Sequence, residues 1–100
     1  FSDCVNLTTV EIRNGITSIP SCTFRGCKAL VNINIPDSVL SIEQGAFWAC
    51  HSLIEVVLPE NLREIGERAF RDCRQLKTIH IPDSVTRIGN EAFNACQNLA

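Results

Sequence analysis

Residues 35–50 read IPDSVLSIEQGAFWAC, and residues 81–96 read IPDSVTRIGNEAFNAC. Working outward from these two strings exposes a comb. Phe stands at Phe1, Phe24, Phe47, Phe70 and Phe93, a step of 23 residues each time. Cys4, Cys27, Cys50, Cys73 and Cys96 keep the same step, as do Leu7, Leu30, Leu53, Leu76 and Leu99. Three residue types in register along the whole chain define a repeat, and a period of this length means a solenoid of stacked coils.

The remaining columns follow from that alignment. After each Leu come Val10/Ile12, Ile33/Ile35, Val56/Leu58 and Ile79/Ile81, followed by Pro in three units (Pro36, Pro59, Pro82). A second apolar pair comes next, namely Ile16/Ile19, Val39/Ile42, Leu62/Ile65 and Val85/Ile88. Ala46, Ala69 and Ala92 then precede Phe. About eight of every 23 positions are therefore apolar and constant, and the others drift among polar types. No single unit can bury its apolar set, but stacked neighbours bury it against each other.

Local signals assign structure to each part of the unit. Alternation around Ile33-Asn34-Ile35 predicts half-buried strands over 9–12, 32–35, 55–58 and 78–81, stacked about 4.8 Å apart in one parallel sheet. The Pro that follows cannot donate to a ladder and ends each strand. The V-x-x-I segment predicts a second short extended piece. The stretch from Gly66 or Gly89 to the Phe predicts one turn of helix on the convex side. The fold class is thus an α/β repeat solenoid, a right-handed coil with a parallel sheet on the concave face and short helical or 3-10 turns on the convex face. Residues 1–100 hold about four repeats without polar caps, which predicts a piece of a longer solenoid. Such open ends predict end-to-end self-association of the isolated chain, which a strictly monomeric species at high concentration would contradict.

The same residues carry a resemblance. The string I-P-x-S-V-x-x-I-G-x-x-A-F-x-x-C, repeated along essentially the whole chain, resembles the BspA-like leucine-rich repeats of surface and secreted proteins in mucosal bacteria and protozoan parasites. The first unit departs from it, with Arg13-Asn14-Gly15 where P-D-S stands later and Pro20 in the Gly column. The resemblance implies a curved solenoid, a cell-surface or secreted location, and adhesion to a host or neighbouring-cell protein.

Composition excludes several classes of function. A net charge of −2 with 20% charged residues and no basic run gives no footprint for nucleic acid. No stretch approaches the roughly 20 apolar residues of a membrane-inserted helix. Six cysteines invite a metal or disulfide reading, but five lie in one column. Thiols about 4.8 Å apart on a line cannot converge on a tetrahedral centre, and parallel side-chain vectors suit a disulfide poorly. The column reads as buried, reduced thiols packed as small apolar groups. His51 and His80 stand in different columns, and no nucleophile–base set or phosphate loop is visible, so the chain reads as a non-enzyme without metal or cofactor. Arg63, Glu64, Glu67 and Arg68 read as a solvated charged face.

Three features remain as candidates for recognition. The residues between the inward strand positions should line the concave face as two rows, Thr9-Asn32-Glu55-Thr78 and Glu11-Asn34-Val57-His80. Trp48, in a column with Arg25, Arg71 and Asn94, is either a contact residue or a ring lying flat on its neighbours. Cys22, in the column of Gly45, Arg68 and Glu91, should be exposed or nearly so and is either incidental or a free, reactive or intermolecular thiol. Asn6-Leu7-Thr8 fits a glycosylation sequon but overlaps the core Leu. Two functional readings follow: a protein-binding module of an adhesin-like protein, or a spacer that sets reach for other parts of a longer solenoid. The family resemblance motivates the first, and the bland concave rows, which lack Tyr, Trp and Arg, motivate the second.

Overall fold

The computed structural model of the protein describes residues 2–97 and 99, so Phe1 of the comb lies outside the described residues, as do Asn98 and Ala100. Each coil contributes two short strands. β1 (Thr9–Glu11), β3 (Asn32–Asn34), β5 (Glu55–Val57) and β7 (Thr78–Ile79) form one parallel sheet in that order. β2 (Ser18–Ile19), β4 (Ser41–Ile42), β6 (Glu64–Ile65) and β8 (Arg87–Ile88) form the second. The register follows the sequence period: Thr9 faces Asn32, Asn32 faces Glu55, and Glu55 faces Thr78. Strands of the first sheet stop one or two residues short of the expected spans. For β3, β5 and β7 the cause is chemical, because the chain there is turning toward Pro36, Pro59 and Pro82, which have no N–H to offer a neighbour.

The core is a column running through all coils, built of the residues that recur. Phe47, Phe70, Leu53, Leu76, Ile42 and Ile65 are fully buried, and the described residues bury no polar or charged side chain. The Phe rings form a stack, with centroids 5.4, 5.1 and 5.5 Å apart from Phe24 to Phe93 and interplanar angles of 15, 4 and 1°. Spacing of rings is thus set by spacing of coils, and the in-register backbone makes the aromatic stack unavoidable. Two members of the apolar columns are exposed, Ile16 at 40% and Ile88 at 47%. Both lie in coils that have a neighbour on one side.

The convex side differs from expectation: among the described residues it contains no helix. It is a run of tight turns in which backbone donors alternate between two destinations. Within the second coil, Ala46 N–H donates to Glu43, Trp48 N–H to Gly45 and Cys50 N–H to Phe47. The intervening Gly45, Phe47 and Ala49 N–H groups donate instead to Glu67, Ala69 and Arg71 of the following coil, at 2.7 to 2.9 Å. A helix would direct every donor along its own axis. Here two residues per coil have positive φ, Gly45 (63°) and Ala49 (64°) or Arg68 (58°) and Asp72 (61°), and the N–H of each donates to the following coil. The stacked coils therefore satisfy their convex backbone by pairing with each other, which a local helix could not do.

Gly66 and Gly89, which bounded the expected helical turn, serve close approach. A β-carbon on Gly66 would lie 2.7 Å from the Gln44 nitrogen and the Glu43 carbonyl carbon. The backbone of one coil rests on that of the last at this corner, so only glycine fits.

Candidate functional site

The first sheet places both expected rows on one face. Thr9, Asn32, Glu55 and Thr78 are all exposed, as are Glu11, Asn34, Val57 and His80, while Ile33 and Val56 between them are buried. Strand alternation does this: Cβ atoms of successive residues leave opposite sides of the pleat. Parallel register then lines the rows up from coil to coil, Glu11 to Asn34 to Val57. Val57 is 53% exposed, an apolar group held at the surface between polar neighbours.

Charge is divided across this face. Beyond the strand ends, Asp37, Glu60 and Asp83 occupy one exposed column at the turns that follow each Pro. Before the strands, Lys28, Arg74 and Lys77 are exposed. One lip of the sheet is thus acidic and the other basic. Two shallow hollows open on the acidic side, one of 310 Å³ bordered by Glu55, Val57, Glu60 and His80, the other of 340 Å³ bordered by Glu60, His80, Asp83 and Ser84. The acidic column escapes a reading based on the apolar comb, although its signal (an acid directly after each Pro) is present in the sequence.

Trp48 sits elsewhere, on the convex surface, and is half-buried. The Arg25 guanidinium lies 4.5 Å from its ring centroid, with Arg71 at 5.6 Å and Arg68 at 6.0 Å. Its indole N–H donates to Asp72 Oδ2 at 3.3 Å. Arg71 and Arg68 in turn reach Glu91 at 3.3 and 3.4 Å. Arg25, Trp48 and Arg71 occupy one column of consecutive coils, so the period itself stacks cations on the aromatic ring. This cluster is separate from the concave rows.

Cys22 is half-buried. Its φ is 59°, and Gly45 of the next coil leaves the space above it, with a β-carbon there only 3.3 Å from Sγ. The other five cysteines form the expected column, and none of the six is joined in a disulfide. Cys50 Sγ–H donates to Phe24 O, Cys73 to Phe47 O and Cys96 to Phe70 O, at 3.1 to 3.2 Å. Burial pushes the Cys50 thiol up to about 12 from an ordinary 9.0, with smaller raising by Cys27. Burial raises Cys27, Cys73 and Cys96 as well. Such thiols are poor nucleophiles and poor metal ligands, since both roles need the thiolate. Among the described residues no group of three His, Cys, Asp or Glu side chains could hold a metal, and no helix is long and apolar enough to cross a membrane.

Parallel short-strand coils with an in-register apolar column and an exposed sheet define a leucine-rich-repeat solenoid. The chain belongs to the BspA-type leucine-rich repeat family, whose pattern matches residues 1–100 in six copies. A T. pallidum leucine-rich repeat protein superposes with a TM-score of 0.98 at 37% identity, covering 100% of this chain and 47% of that one. A leucine-rich repeat protein from Bacteroides ovatus gives 0.94 at 40% identity, with 99% and 26% coverage. A leucine-rich cell-surface protein from Faecalibacterium prausnitzii gives 0.87 at 36% identity, with 91% and 24% coverage. The chain therefore spans less than half the length of each of these structures. Comparison with curated proteins gives no match.

Proposed function

We propose that this chain is a protein-binding module of a cell-surface or secreted adhesin-like protein, with the concave sheet as its contact surface. The observation that carries this reading is the array itself. Eight exposed side chains, Thr9, Glu11, Asn32, Asn34, Glu55, Val57, Thr78 and His80, are presented in two rows on a rigid parallel sheet. A preformed array loses little conformational entropy on binding, which is the advantage a solenoid offers over a mobile loop. The surface location rests on family membership and on the similar F. prausnitzii protein, which is described as a cell-surface protein.

The absence of Tyr, Trp and Arg from the rows favours a second reading, a spacer without a ligand of its own. Beads carrying the chain, presented to epithelial and bacterial cell surfaces, separate the two. With Glu11→Lys, Glu55→Lys and His80→Glu combined, the binding reading expects retention to fall by roughly tenfold, because rim and face charges govern encounter and register. Retention that is equal for both chains would establish the spacer.

A further inference from the structure

The first coil differs from the others at one turn. Val39 N–H donates to Pro36 O, Leu62 N–H to Pro59 O and Val85 N–H to Pro82 O, closing the later turns within themselves. In the first coil, Gly15 N–H reaches across to Ser38 Oγ at 2.9 Å. Asn14 occupies the column of Asp37, Glu60 and Asp83, so it is the neutral member of an otherwise acidic row. Both Asn14 and Gly15 are exposed, and Gly15 has a φ of 113° with nothing within 4 Å of where a β-carbon would stand.

We propose that Asn14 is a site of spontaneous covalent modification, converting to aspartate and isoaspartate. The chemistry needs only solvent. Hydroxide takes the Gly15 amide proton, the freed nitrogen bonds to Asn14 Cγ, and the Cγ–Nδ2 bond breaks. Nδ2 leaves as ammonia with a proton from water, which regenerates hydroxide and leaves a five-membered imide. Water then adds to either imide carbonyl. Breaking the bond from Cγ to the Gly15 nitrogen yields aspartate, and breaking the bond from the Asn14 backbone carbon yields isoaspartate. Each product is one unit more negative than the starting chain.

The rest of the sequence supplies internal controls. Every other Asn precedes a residue with a β-carbon: Leu7, Ile33, Ile35, Leu62, Glu91, Ala95 and Leu99. That carbon crowds the approach of the amide nitrogen, most severely when β-branched. Asn32 and Asn34 are additionally held in β3, paired on both sides. Only at Asn14 do a missing β-carbon, solvent exposure and an open turn coincide. The product would extend the carboxylate row Asp37–Glu60–Asp83 by one coil along the acidic lip, whether or not that lip contacts a partner.

Incubation of the native chain at mildly alkaline pH, followed by peptide mapping with mass spectrometry and anion-exchange chromatography, tests this. The Asn14 peptide should convert at least about tenfold faster than those holding Asn6, Asn32 or Asn61, because only it has glycine next in chain. The conservative surface variant Asn14→Ser should keep a single charge species throughout, and Asn14→Asp should co-elute with the aspartate product. Conversion of Asn14 no faster than the other asparagines, or an undiminished charge shift in Asn14→Ser, would overturn the proposal.

Discussion

Ala49 holds a φ of 64° so that its N–H can reach Arg71 O, 2.8 Å away in the next coil. A β-carbon in the left-handed region costs about 1–2 kcal/mol, which glycine avoids at an entropic cost of roughly 0.5–1 kcal/mol. Ala49→Gly should therefore leave stability unchanged or raise it by up to about 1 kcal/mol in urea denaturation. Ala46, three residues earlier and fully buried without positive φ, is the contrast. There, loss of the methyl group and added backbone freedom should lower stability by about 1–2 kcal/mol. Equal losses at both positions would refute the left-handed assignment. The convex turns were illegible for the same reason. Only Gly26 and Gly45 mark the left-handed columns, which otherwise hold Asp, Ala, Cys, Arg and Glu, so a short helix was the natural reading.

At the scale of one element, the cysteine column couples folding to pH. The unfolded thiol ionises near 9.0, whereas burial holds folded Cys50 near 12 and also raises Cys73. Because the folded values are raised, the stabilisation is fully present below pH 9.0 and is lost as pH climbs toward 12. Each such thiol should cost about 1.4 kcal/mol of stability per pH unit across that window. Denaturation midpoints measured across that window should fall steeply, and Cys50→Ala should flatten the slope even though it lowers stability at neutral pH. A slope identical in wild type and Cys50→Ala would remove the thiol from the explanation. Spacing alone disclosed that these residues form a ladder. Their donation to Phe carbonyls of the preceding coil became visible only with three-dimensional geometry.

For the whole molecule, stability is a sum of coil interfaces. Phe47 is fully buried between Phe24 and Phe70, while Phe93 is partly buried against Phe70. Phe47→Ala should cost about 3–5 kcal/mol, and Phe93→Ala clearly less, since the second removes a ring with only one described ring neighbour. Circular dichroism during urea unfolding measures both, and equal losses would contradict a nearest-neighbour stack.

What the sequence by itself determined is the period, the core columns, the strand positions and the two concave rows. Each follows from side-chain type at a regular interval, because burying apolar groups in stacked coils permits one register. The tertiary structure alone decided where backbone donors go on the convex side. It also decided that Trp48 lies among arginines, and that the turn at Gly15 beside Asn14 is open. These depend on contacts between coils, and residues 23 apart become neighbours only once the chain has wound.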